Sequence, residues 1–185
     1  METSFMMLTY TGQLVDPLNL SPDDIDIEDI AHSLALQNRY GGHTLWPYSV
    51  AQHSILLARA VPKSLARAAL MHDASEAYCS DLPHPIKKNV PQYNSIEIPI
   101  QTAIFAKYNI PWDHMEEVSY YDRAICLDEM SQLMPDIDQE LVKTHKRLGI
   151  MVKAMSWQDV EEWYLDMFYE LFDETMPAFL GESIA

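Results

Sequence analysis

Glycine is scarce in this chain, with 5 in 185 residues, and cysteine is scarcer still, with 2. So few glycines leave little material for the many tight turns of a β-sandwich or barrel, and with 11 methionines they point to helices. Cys79 and Cys126 form no CxxC pair; they exclude a disulfide framework and fit buried free thiols in a reducing compartment. Basic side chains are also few. Twelve lysines and arginines face 28 aspartates and glutamates, for a formal charge of −16. A field of that sign repels polynucleotides and anionic lipid, so neither a nucleic acid polymer nor a membrane is an expected partner. It repels nucleotides too, so a phosphate-handling site needs locally concentrated cations, a metal ion plus a few basic groups. No apolar run approaches the ~18 residues of a membrane span. Residues 1–10 lack a basic region followed by an apolar stretch, so no signal peptide is read and the cytoplasm is the expected location.

What is present is 48% apolar residues with no repeat, low-complexity tract or linker, which suits one all-α domain over residues 1–185. Residues 5–15 alternate weakly around Thr11-Gly12 and read as a short hairpin or extended arm. Ile27, Ile30, Ala31, Leu34 and Ala35 recur at helical spacing, and that helix should end near Arg39, before Gly41-Gly42. Ser49 is a fitting N-cap for a helix carrying Val50, His53, Leu57 and Ala60. Pro62 suits the first turn of a helix running through His72 to Glu76. After a Pro-rich loop at 81–85, further helices are predicted over about 93–108, 113–133, 138–146 and 157–172, the last capped by Ser156. Its aromatic surface (Trp157, Trp163, Tyr164, Phe168) serves either as core or as an interface.

Chemistry concentrates at residues 70–76, Leu-Met-His-Asp-Ala-Ser-Glu. On a helix, His72, Asp73 and Glu76 point broadly the same way, an imidazole and two carboxylates on an otherwise apolar face. Buried groups of that kind are costly unless paired or bound to a metal. A mixed nitrogen and oxygen set suits Mn, Co, Fe, Ni or Zn better than Ca or Mg. His53, one helix earlier, can supply a second imidazole, and Asp122 in Tyr-Tyr-Asp-Arg-Ala is the distant carboxylate that closes the site. His32, His114 and His145 have no such company. Glu76, a turn beyond the ligands, can orient water or shuttle a proton without occupying the metal. Arg39 can fork onto phosphate oxygens, and Gly41-Gly42 marks either a close backbone approach or a tight turn. Lys87 offers a point charge to phosphate or a solvated side chain, and Trp46 suits packing better than pocket lining.

The order His, His-Asp, Asp on helices resembles the HD superfamily of phosphohydrolases. The likeness is nearest to small bacterial 5′-deoxynucleotidases and phage dATP triphosphohydrolases. It is carried by Arg39-Tyr40, by Ser49 to Ser54, by the block from His72 to Glu76, by Asp81-Leu-Pro-His-Pro85-Ile-Lys87, and by Asp122-Arg-Ala. The resemblance implies a single HD-domain helical bundle with His53, His72, Asp73 and Asp122 holding a divalent transition metal (Co, Mn, Zn or Ni), with Mg as an additional ion alongside substrate. It implies Glu76 as the catalytic carboxylate and Arg39 and Tyr40 as the pair facing phosphate and nucleoside, where relatives carry Arg-Trp. It implies Asp81 as the acceptor for the sugar 3′-hydroxyl; Pro83 and Pro85 stiffen the loop after it into a wall for the base, with Lys87 following on the substrate side. The sharpest expectation is hydrolysis of dATP to deoxyadenosine and triphosphate. The alternatives are a 5′-deoxynucleotidase releasing phosphate from dNMPs and an inactive nucleotide-binding HD protein. Relatives assemble as dimers or hexamers, so a homo-oligomer is expected. The Gly-Tyr-Pro element of cyclic-dinucleotide phosphodiesterases does not occur.

Overall fold

A computed structural model describes residues 6–135, 137, 140 and 146–172. These residues fold mainly into α-helices, with one two-stranded antiparallel sheet. The sheet pairs β1 (Met7–Leu8) with β2 (Leu14–Val15), Met7 opposite Val15, around a turn in which Gly12 takes a φ of +86°. This is the expected hairpin. Its turn is tied to the next element by Asp29, whose buried carboxylate accepts the Thr11 amide at 2.7 Å and hydroxyl at 3.0 Å.

Eight helices follow among the described residues: α1 (Ile27–Leu36), α2 (Val50–Ala60), α3 (Ala66–Met71), α4 (Glu76–Cys79), α5 (His84–Lys87), α6 (Pro91–Lys107), α7 (His114–Leu133) and α8 (Trp157–Phe172). Helix α1 stops at Leu36, earlier than its apolar spacing suggests. The chain turns extended so that Arg39 can donate its amide to the Tyr48 carbonyl and Val50 to that of Gln37, both at 2.9 Å. The stretch expected as a helix over 138–146 lies, apart from Glu140 and Lys146, outside the described residues.

Helix α2 is the centre of the molecule. It packs against α1, α3, α7 and α8 and is buried round nearly its whole circumference. Alanines at 51, 58, 68 and 69, all buried, let α2 and α3 lie close together. Fully buried Leu57 and Leu70 each contribute about 1.5–3 kcal/mol of apolar transfer. On α8, Val160, Tyr164 and Phe168 recur every four residues and are buried, and the Tyr164 hydroxyl donates to the Leu70 carbonyl at 2.9 Å. That face is core, while Trp157 and Tyr169 stay exposed. No helix among the described residues is long and apolar enough to cross a membrane.

Candidate metal centre

Three local structures aim side chains at one point. Ser49 caps α2, accepting the Gln52 amide at 3.2 Å, and sets His53 one turn inside the helix. Helix α3 ends at Met71, and residues 72–75 continue as a tightened turn with i→i−3 bonds (Ala74 to Met71, Glu76 to Asp73) before α4 begins. The unbroken helix expected through Glu76 is therefore corrected. The cause is Gln101 on α6: its amide donates to the Met71 carbonyl at 2.7 Å and accepts the Ser75 amide at 3.0 Å, meeting the backbone groups that the break exposes. At three residues per turn Asp73 and Glu76 eclipse, so they still share a side. Asp122 projects from α7.

The result is a cluster in which His53, His72 and Asp122 each offer an atom within 4.8 Å of the others. The two imidazole Nε2 atoms stand 3.3 Å apart. Asp122 Oδ1 is 3.2 Å from His53 Nε2 and 3.9 Å from His72 Nε2. Asp73 Oδ2 reaches the same two nitrogens at 3.8 and 3.1 Å. His72 Nδ1 lies 2.8 Å from the Ala69 carbonyl and donates to it, which leaves the Nε2 lone pair aimed into the cluster. Two Nε2 atoms and two carboxylates around one point is a donor set that a divalent transition ion fits.

Electrostatics support that fit. Burial raises Asp73 and Asp122, yet the neighbouring imidazoles overrule it and hold both below the ordinary carboxylate range. Burial and Arg39 pull His53 down, but Glu129 and Asp122 lift it to about 9. Glu76 behaves oppositely: burial, then Asp73 and Asp81, push it well above the usual range, and its Oε2 is enclosed with no hydrogen-bond partner among the described residues. Burial likewise raises Asp81.

Arg39 sits inside the cluster, its guanidinium 3.2 Å from Asp73 Oδ2, 3.5 Å from Glu129 Oε2 and 4.0 Å from Asp122 Oδ1. Tyr40, Gly41 and Gly42 all have positive φ, 57°, 59° and 77°. A Cβ on Gly42 would meet nothing within 4 Å, and one on Gly41 only the His43 ring, so the diglycine serves a left-handed turn and no close approach. Tyr40 adopts that conformation against a cost of roughly 1–2 kcal/mol. Its hydroxyl donates to Glu129 Oε2 at 2.5 Å.

A cleft of about 220 Å³ opens beside the cluster, lined by His72, Asp73 and Asp122 together with Lys87, Glu97 and Trp112. Lys87 is held by Glu97 at 2.6 Å. Pro85 is exposed and does not line this cleft, nor does Asp81, whose amide is fixed by Gln37. A larger hollow of about 430 Å³ under the hairpin touches none of the expected site residues. Trp46 packs against the small cluster of Tyr48, Leu133 and Val152, and His32 pairs with Glu161. His145 is outside the described residues. Cys79 and Cys126 are free and half-buried, less enclosed than expected.

Three residues escaped the sequence reading: Gln101, Tyr48 and above all Glu129. Glu129 is fully buried at the back of His53. A signal for it existed, because residues 122 and 129 are two helical turns apart and fall on one face.

No family model matches the chain. A protein of Escherichia coli K12, the uncharacterized protein YfdR, is 41% identical over 125 residues, 68% of this chain and 70% of the relative. An uncharacterized protein of Rhodobacter capsulatus is 38% identical over 111 residues, 55% of this chain and 57% of its own length.

Proposed function

The chain belongs to the family of the Escherichia coli protein YfdR, and we propose that it is a divalent-metal-dependent phosphohydrolase of HD type acting at the α-phosphorus of deoxynucleotides. One observation carries this. Two Nε2 atoms 3.3 Å apart face each other between the carboxylates of Asp73 and Asp122, beside an open cleft. His53, His72, Asp73 and Asp122 would hold the ion. Once bound, a divalent ion supplies Lewis acidity toward a phosphoryl oxygen and lowers the pKa of water.

The protein's own groups complete the reaction. Arg39 brings positive charge to the cluster, held there by Asp73 and Glu129, and offers N–H donors to phosphate. Glu76, held in its acid form by burial and by Asp73 and Asp81, can donate the Oε2 proton to the leaving 5′-oxygen as the P–O5′ bond breaks. Water contributes its oxygen to phosphorus, and its proton restores the acid. Trp112, exposed at the cleft, offers an aromatic face to the base. Asp81 remains the proposed sugar acceptor.

The sequence ranks dATP first. A second reading, a 5′-deoxynucleotidase, is favoured by charge: Lys87 is the one lysine or arginine lining the cleft among the described residues, and Glu97 already pairs with it. A triphosphate tail would find little to neutralise it there. Incubation with dAMP, dADP and dATP, each with Co, Mn, Zn or Mg, separates the readings by whether phosphate, pyrophosphate or triphosphate appears beside the nucleoside. Cleavage of monophosphate alone ends the triphosphohydrolase reading, and tight binding with no turnover under any metal ends the enzymatic one. Glu76→Gln is expected to retain metal while kcat falls about 10²–10⁴-fold.

A further inference from the structure

Helix α7 carries two adjacent buried acids whose surroundings differ. Asp128 is committed to architecture: it accepts the amides of Leu148 and Gly149 at 2.8 and 2.9 Å and pairs with Arg147. Glu129, fully buried, faces the other way, into a set of polar groups behind the metal cluster. Its Oε1 lies 2.5 Å from His53 Nδ1 and accepts the Tyr48 hydroxyl at 2.8 Å. Its Oε2 accepts the Tyr40 hydroxyl at 2.5 Å and stands 3.5 Å from Arg39 Nε.

We propose that Glu129 is a positioning residue of the metal centre: it accepts the Nδ1–H hydrogen bond of His53 and so fixes that imidazole to bind a divalent cation through Nε2. An ionised carboxylate only accepts, and here donors surround both of its oxygens. His53 Nδ1 must then be the donor of its 2.5 Å contact, and the Nε2 lone pair is left for the cluster. The two tyrosine hydroxyls stop the carboxylate from rotating, because each holds a different oxygen. Arg39 balances the charge that burial would otherwise disfavour. The two imidazoles are thus supported unequally. His72 leans on a neutral backbone carbonyl, while His53 leans on a full negative charge, which makes it the more basic ligand and the better fixed.

This inference rests on the metal-centre reading above, and its test reads the metal without reading turnover. Full-length wild type and Glu129→Gln are titrated with Co(II), following the visible absorption bands and the heat of binding. The variant is expected to bind Co(II) about 10–100-fold more weakly and with altered bands. Tyr48→Phe, which removes a hydroxyl from the same oxygen but leaves the His53 contact, is expected to keep the wild-type bands. Equal affinity and identical bands in Glu129→Gln overturn the proposal. Should Glu129→Gln fail to fold, the tautomer in zinc-loaded wild type decides: ¹⁵N-correlated NMR must show the proton of His53 on Nδ1, and a metal-bound or unprotonated Nδ1 overturns the proposal. Normal deoxynucleotide hydrolysis with unchanged Co(II) binding in Glu129→Gln sinks this inference and spares the function. The reverse result, weakened Co(II) binding in Glu129→Gln while wild type cleaves no deoxynucleotide, sinks the function and spares the inference.

Discussion

A proton and a metal ion compete for the same lone pair on His53. Glu129 and Asp122 lift the imidazole to about 9 against the pull of burial and Arg39, so near neutrality its Nε2 carries a proton that a cation must displace. The sign follows directly. Apparent affinity for Co(II) or Zn(II) should rise by up to about tenfold per pH unit up to about pH 9 and then level off, with one proton released per ion. Calorimetry in two buffers of different ionisation enthalpy counts that proton. Affinity that stays flat from about pH 6 to about pH 8 would contradict the His53 ligand assignment. The same pairing has a stability consequence for the metal-free protein. A raised imidazole stabilises fully below its unfolded value of about 6.5, and that stabilisation is lost as pH rises through about 9. Glu129, depressed to about 2 where burial is outweighed by His53 and Arg39, acts at the other end. Its contribution is present above the unfolded value of about 4.3 and is lost as pH falls through about 2.

At the scale of elements, the decisive feature is the interruption between α3 and α4, and one side chain from another helix sustains it. Gln101 is 3% exposed and satisfies both the Met71 carbonyl and the Ser75 amide. Gln101→Ala leaves the buried Ser75 amide unpaired, at about 1–3 kcal/mol, and the Met71 carbonyl with the Ala74 amide alone, so it should lower Tm and weaken metal binding together. A Tm equal to wild type would show that the turn holds itself. This contact also marks where the sequence stops being legible. Helices α2, α7 and α8 could be read because their apolar positions recur at helical spacing and Ser49 caps one of them. His53, His72, Asp73 and Asp122 were legible through their residue types and order, and the structure brings all four together. Gln101 was hidden, and Glu129 was passed over despite sharing a face with Asp122, because a polar residue within a helix ordinarily signals solvent. Only their partners on other helices show that these two are buried. The end of α1 was hidden similarly: what stops it is the pairing of residues 37–39 with 48–50, Asn38 opposite Ser49, a contact that helical spacing does not reveal.

Over the whole molecule the formal charge of −16 acts oppositely on the two species the site is proposed to hold. It gathers divalent cations and repels nucleotides, and the cleft does little to reverse it, since Lys87 is paired with Glu97 and Arg39 is occupied by Asp73 and Glu129. Raising KCl from about 20 to about 300 mM shortens the Debye length from roughly 20 Å to about 6 Å, which screens that field without reaching the buried pairs. At saturating metal, kcat/KM for the deoxynucleotide should therefore rise with salt across this range, while the affinity for the metal itself falls. The rise should be steeper for dATP than for dAMP, because the triphosphate carries more charge through the same repulsion. Measuring both substrates at four or so salt concentrations separates approach from chemistry, since kcat at saturation should stay nearly constant. A steep fall in kcat/KM with salt would mean that a local positive field, stronger than Lys87 and Arg39 can supply here, steers the substrate in, and that the acidic exterior has no part in which nucleotide is taken.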